Sequence, residues 1–158
     1  RRGYDAEDFI RYVQEFRKDI PDLNLHTDII VGHPGETEED FEQTLNLIKE
    51  IKPDFVNISK FGARHGTLAA KMEKINTEIV DGRSKILHKL VKKISLEKNQ
   101  KWLGWKGEVI IDEEGEDFVE GRNFAYKPIV FMEKINLGDI IDVKIVEAKE
   151  NFLVGNFQ

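Results

Sequence analysis

The stretch that most constrains this chain is Thr27–Phe41, TDIIVGHPGETEEDF. Three consecutive β-branched residues, Ile29, Ile30 and Val31, read as a strand covered on both faces. Gly32-His33-Pro34-Gly35 then turns the chain. Pro34 fixes one φ angle, and the two glycines admit dihedrals and close approaches that a Cβ forbids. Thr37 suits an N-cap. Asp40 follows three residues on as a short-armed capping-box acid, and Glu38 and Glu39 favour the positive end of a helix. A strand that runs through a Gly-rich turn into a helix places ligand-facing backbone at the carboxyl end of a parallel sheet, where such folds bind their ligands. The same pattern also describes a βα turn that binds nothing, because Gly-rich turns are common.

Around this stretch the pattern alternates. Asp5 caps a helix over 5–18, with Phe9, Ile10, Val13 and Phe16 at helical spacing. A strand over 25–31 leads to a helix over 38–51 with Phe41, Leu45, Ile48 and Ile51 on one face, stopped by Pro53. A second strand over 54–60 points Val56 and Ile58 one way and Asn57 and Ser59 the other. This order predicts two parallel strands joined by a right-handed crossover. The longest helix spans 77–102, with an apolar stripe from Ile79 and Val80 through Leu87, Leu90 and Ile94. Gly82 weakens it by up to about 1 kcal/mol relative to alanine. At Trp102-Leu103-Gly104-Trp105 helical spacing gives way to short strands, near 108–111, 118–120, 129–131, 140–146 and 152–155. That spacing predicts an α/β part over 1–101 followed by an all-β part over 102–158. The second part reads as a small five-stranded antiparallel barrel of the oligonucleotide-binding (OB) type.

Composition limits the chemistry. The 158 residues include no cysteine, so the chain offers no disulfide framework and no thiolate metal site, and a cytoplasmic location is expected. The four histidines, His26, His33, His65 and His88, show no ligand spacing, and no metal site is expected. No apolar run approaches membrane-spanning length. Net charge is −6 but unevenly spread: residues 76–107 carry 8 basic and 3 acidic side chains, between two acidic segments. A basic segment of this kind is either the solvated face of a helix or a surface for RNA.

The string Gly32-His33-Pro34-Gly35-Glu36-Thr37 resembles the GxPGET segment of radical SAM methylthiotransferases, with His33 where that family usually has an apolar residue. Phe61-Gly62-Ala63-Arg64-His65-Gly66-Thr67-Leu68-Ala69-Ala70 is similar to a second family segment at Arg64, Gly66, Thr67 and Ala69. It departs at Gly62, Ala63, His65 and Leu68. Three of these departures remove a proline, which predicts a less rigid loop. Gly121-Arg122-Asn123-Phe124-Ala125-Tyr126-Lys127-Pro128 closely resembles a stretch of the TRAM domain, the RNA-binding barrel appended to these enzymes.

The resemblance covers nearly the whole chain. It implies the last two βα units of a radical SAM partial barrel, followed by a TRAM barrel. Within the family, the last string and the Trp-Leu-Gly-Trp linker most resemble the branch that methylthiolates threonylcarbamoyladenosine in tRNA. Isopentenyl-adenosine or a ribosomal-protein aspartate as substrate, and a stand-alone RNA-binding module, stay open as alternatives. The implied cofactors are S-adenosyl-L-methionine (SAM) and 4Fe-4S clusters. The CxxxCxxC triplet that would hold a cluster is absent, so the chain reads as the C-terminal part of a longer enzyme, inactive alone. Asp28, Gly32, Pro34, Gly35, Glu36 and Arg64 are the implied SAM-facing residues, and no catalytic residue is assigned. Arg64 equally suits a grip on a carboxylate or phosphate and an ordinary surface ion pair. For RNA the candidates are Lys89, Lys92 and Lys93 on the basic helix, with Arg122, Asn123, Tyr126 and Lys127 on the barrel. Phe124 and Tyr126 offer faces for unpaired bases or else fill the barrel core, and at least one of the two is expected in the core. The implied partner is the anticodon arm of tRNA, with no membrane. Missing barrel strands would leave an open edge, which predicts self-association.

Overall fold

A computed structural model describes residues 3–157 of the chain. They form two compact units. The first comprises residues up to Pro21 together with Leu25–Ile94, and the second comprises Asp22–Asn24 together with residues from Ser95 onward.

In the first unit, α1 (Ala6–Asp19) starts at Asp5, whose carboxylate accepts from the Asp8 amide while Asp8 reciprocates. Next, β1 (His26–Val31), α2 (Glu38–Ile51) and β2 (Phe55–Lys60) follow in the expected strand–helix–strand order. The strands pair in parallel, from His26 opposite Phe55 to Val31 opposite Lys60. α2 begins on the capping box that Thr37 and Asp40 predict. It ends at Lys52 in a left-handed conformation, just before Pro53. After a short 3-10 turn at Ala69–Lys71, α3 (Thr77–Gln100) begins. Val13, Val31, Phe41, Ile48, Ile51, Val56, Leu87 and Ile94 form the core.

One expectation fails here. β1 is covered on one face only: Thr27, Ile29 and Val31 turn towards the core, while His26, Asp28 and Ile30 are exposed. Ile30 is 58% exposed. The apolar run was ambiguous because a strand buried on one face also tolerates one outward isoleucine. β2 alternates as predicted, with Val56 buried and Phe55, Asn57 and Ser59 outward.

The second unit is a closed barrel in the order β3–β4–β5–β7–β6. Its strands are β3 (Lys106–Glu114), β4 (Val119–Arg122), β5 (Pro128–Phe131), β6 (Ile140–Ala148) and β7 (Leu153–Phe157). Val109, Ile111, Val119, Ile129, Phe131, Val143, Ile145 and Leu153 fill the interior. The barrel is OB-like but not antiparallel throughout. β5 and β7 run parallel, with Ile129 opposite Leu153 and Val130 opposite Val154. The reason is geometric. A closed ring with an odd number of strands cannot alternate direction at every seam, so at least one neighbouring pair must be parallel. Among the described residues no helix is long and apolar enough to cross a membrane.

Candidate functional site

The turn after β1 is built from its own carboxylate. Glu36 Oε2 accepts from the Gly32 amide at 3.0 Å, and the Glu36 amide donates to the His33 carbonyl at 2.9 Å. The same Oε2 takes Arg83 from α3 at 2.6 Å, and the other end of the guanidinium reaches Glu38 at 3.0 Å. Arg83 also lies over the Phe41 ring, 5.4 Å from its centroid. Side-chain exposure is only 7% for Arg83 and 12% for Glu36. Burial alone lowers the Arg83 pKa, but hydrogen bonds and charge from Glu38 and Glu36 outweigh it, and the guanidinium is held charged. One turn earlier on α3, Val80 packs against Gly32. Gly32 sits at φ +80°, and a Cβ there would lie 2.6 Å from Val80 Cγ2. Glycine is required on both counts.

Beside this turn an open cleft of about 310 Å³ lies at the carboxyl ends of β1 and β2. Gly32, Pro34, Lys60, Phe61, Ile75 and Val80 are among its walls. Lys60 pairs with Asp81 at 2.7 Å, and this hydrogen bond holds the Asp81 carboxyl below its usual range despite partial desolvation. His33 is exposed and meets Phe61 edge-on, with ring centroids 4.9 Å apart. The cleft combines apolar walls, backbone at a strand end, the two lysines Lys60 and Lys74, and the Asp81 carboxylate that Lys60 already pairs with. Apolar walls beside charged side chains of both signs suit a small ligand with an apolar portion and a polar or charged group.

The predicted SAM-facing residues do not all meet there. Gly32 and Pro34 line the cleft. Glu36 is instead consumed by Arg83 and the Gly32 amide. Asp28 lies on the open face of the sheet, where it accepts from Asn57 Nδ2 at 2.8 Å. Gly35 sits at φ +88°, near Met72. Arg64 is exposed in the loop after β2, and its carbonyl accepts from the Thr67 amide and hydroxyl in a tight turn.

The RNA candidates also divide. Lys89, Lys92 and Lys93 are exposed on α3, in the first unit. On the barrel, Phe124 and Tyr126 are 72% and 64% exposed, so neither fills the core, against the expectation that at least one would. Asn123 and Lys127 are buried, at 5% and 4%. Asn123 Oδ1 accepts from the amides of Ala125 and Lys127, so it shapes the loop instead of reading a base edge. Lys127 Nζ donates to Asn99 Oδ1 at 3.1 Å, which turns its charge inward, away from any phosphate. Arg122 pairs with Glu120 and lies 3.5 Å from Asp112, with its guanidinium 5.5 Å over the Tyr126 ring.

No family model matches the chain. It is 44% identical over 155 residues to a probable threonylcarbamoyladenosine tRNA methylthiotransferase of Pyrococcus abyssi, covering 98% of this chain and 36% of that protein. It is 42% identical to a protein of the same description from Methanocaldococcus jannaschii, covering 98% and 35%. To a tRNA-2-methylthio-N(6)-dimethylallyladenosine synthase of Caldicellulosiruptor saccharolyticus it is 39% identical, covering 98% and 34%. The chain is homologous to part of the tRNA methylthiotransferases. It spans about a third of the length of these curated relatives. The chain carries no cysteine, so thiolate ligands for a cluster are not among its 158 residues. Among the described residues no group of three or more His, Asp or Glu side chains is placed to hold a metal.

Arg83 is the residue that sequence reasoning missed. Its signal was present: it lies on the apolar stripe of α3, three residues after Val80 and four before Leu87. A lone charge on a buried stripe announces a buried partner.

Proposed function

We propose that this chain is the C-terminal part of a radical SAM tRNA methylthiotransferase, one that converts N6-threonylcarbamoyladenosine in tRNA to its 2-methylthio derivative. The observation that carries this reading is the order of similarity. Four relatives named for threonylcarbamoyladenosine are 40–44% identical over 98% of the chain. Four named for dimethylallyladenosine are 34–39% identical over the same share. The second group supports dimethylallyladenosine as the other substrate reading.

In this proposal residues 1–101 end a partial barrel. Gly32, Pro34 and Lys60 line one wall of the SAM pocket, and the Gly35 and Arg64 loops border it. SAM with a 4Fe-4S cluster supplies the radical and methyl chemistry. This chain's residues bind and orient the ligand and carry no cluster thiolate. Residues 102–158 act as the TRAM barrel and meet the anticodon arm, in the cytoplasm. The two-stranded sheet has one unpaired edge on each strand and an exposed face, which supports self-association of the isolated chain.

The test is nucleoside mass spectrometry of tRNA from cells lacking their own methylthiotransferases and supplied with the full-length gene. Appearance of 2-methylthio-threonylcarbamoyladenosine supports the proposal. Appearance of only the dimethylallyl product transfers it to the second reading, and no methylthio product overturns both. Light scattering of the isolated chain tests self-association, and a monomer at high concentration rejects it.

A further inference from the structure

The barrel carries an aromatic arrangement whose form goes beyond a charged RNA surface. Phe124 packs against both tryptophans of the chain, with ring centroids 5.9 Å from Trp102 and 6.1 Å from Trp105. The two tryptophans meet each other edge-on at 5.6 Å. Phe124 is thus braced from behind and still 72% exposed. Two residues on, Tyr126 is backed by the Arg122 guanidinium and remains 64% exposed. Large aromatics exposed to this degree lose burial energy, and here both are fixed in place while exposed.

The loop that presents them is rigidly determined. Asn123 Oδ1 accepts two amides, from Ala125 and Lys127. The Tyr126 amide donates to the Asn123 carbonyl at 2.8 Å, and the Tyr126 carbonyl accepts from Asn24 Nδ2 at 2.9 Å. Lys127 is buried onto Asn99, whose own amide group donates to the Lys149 carbonyl at 2.9 Å. Tyr126 is held at φ +59°, a left-handed conformation uncommon outside glycine, asparagine and aspartate. Strain of this kind persists where surrounding contacts over-determine it, and it concentrates at binding sites. Asn123 and Lys127, which the sequence suggests as RNA contacts, are the buried struts of the loop.

We infer that Phe124 on its Trp102–Trp105 backing and Tyr126 on Arg122 form a preorganised pair of stacking platforms for two unpaired bases of RNA. The inference rests on the tRNA reading above for its class of partner and adds the subsite and the mode of contact. Stacking tolerates any base, because every base has a π-face. It needs bases that are not paired, as in a hairpin loop. It also explains how a barrel segment with 12 acidic and 5 basic side chains over residues 108–158 can hold RNA: the contact is not ionic.

The test is binding of an unmodified anticodon stem–loop RNA, and of a fully paired duplex of the same composition, by this chain and its Phe124→Ala, Phe124→Leu, Phe124→Trp and Tyr126→Ala variants. Circular dichroism confirms that each variant is folded. Phe124→Ala and Tyr126→Ala are each expected to weaken stem–loop binding about fivefold or more, with the salt slope unchanged. Phe124→Leu keeps apolar bulk and should still lose affinity, while Phe124→Trp should keep it. Tryptophan fluorescence should be quenched by the stem–loop and not by the duplex. Stem–loop binding by folded Phe124→Ala and Tyr126→Ala at wild-type strength overturns the platform and leaves the tRNA reading standing. Phe124→Leu at wild-type affinity overturns the stacking mode. Absence of any RNA binding by the wild-type chain also overturns the platform, while the tRNA reading stands or falls on the methylthio product of the full-length enzyme.

Discussion

One carboxylate oxygen, Glu36 Oε2, receives both the guanidinium of Arg83 at 2.6 Å and the amide of Gly32 at 3.0 Å. A helix more than forty positions away in the sequence therefore sets the shape of the turn that ends β1. Removing one partner of a buried pair strands the other charge, at a cost of about 3–5 kcal/mol. Arg83→Met should approach that cost in urea unfolding and should accelerate hydrogen exchange at the Gly32 amide. Glu36→Gln keeps an acceptor for the amide and should cost less. Wild-type exchange at Gly32 in folded Arg83→Met would sever the turn from the helix.

The two turn glycines should respond differently to alanine. Both carry positive φ, which costs a residue with a Cβ about 1–2 kcal/mol. At Gly35 the added Cβ meets only Met72 Cε, at 3.4 Å, whereas at Gly32 it meets Val80 at 2.6 Å. Gly32→Ala should lower the melting temperature more than Gly35→Ala. Val80→Ala should recover part of the Gly32→Ala loss and none of the Gly35→Ala loss. Equal effects of the two glycine substitutions would remove the steric argument.

Acid should attack α2 at its start. The Asp40 carboxyl is held below its ordinary value by hydrogen bonds from the Thr37 amide and hydroxyl. A carboxyl depressed in the folded state adds stability above its unfolded pKa and loses it as pH falls through the folded one. For Asp40 that loss begins below the ordinary value of 3.8. Asp40→Asn should flatten the decline of melting temperature below that pH, and Asp81→Asn should do so through the lost Lys60 pair. Unchanged acid limbs in both variants would contradict these assignments.

The basic helix has a separable signature. If Lys89, Lys92 and Lys93 each meet a phosphate, replacing all three with glutamine lowers the slope of log affinity against log salt by about 2–3. The loss should be equal for every tRNA tested. An unchanged slope would make these lysines a solvated helix face.

Local signals in the sequence were dependable where the physics is local. The Thr37–Asp40 box and the Asp5 cap need only a three-residue span, and β2 announced its faces by alternation. Failures came where the deciding partner is distant. Lys127 looks like a surface cation beside Tyr126 and Pro128, and its burial depends on Asn99, 28 positions earlier. Glu36 looks ligand-facing until Arg83 claims it from 47 positions on. The parallel β5–β7 seam was legible in principle, because the count of five strands demands it once the barrel closes. Phe124 and Tyr126 could not be sorted into core or surface by composition, since only the loop's pinned backbone directs both rings outward.

Ring closure gives β7 a special place in the life of the barrel. It is the strand that completes two seams at once, to β5 and to β6. During synthesis the four earlier strands emerge from the ribosome as an open sheet, and their β5 and β6 edges stay available to any passing strand. The short strand Leu153–Phe157 ends that exposure in a single step. Nascent copies can pair with one another for as long as β3 to β6 lie outside the exit tunnel while Leu153–Phe157 is still inside it, and emergence of β7 closes that interval.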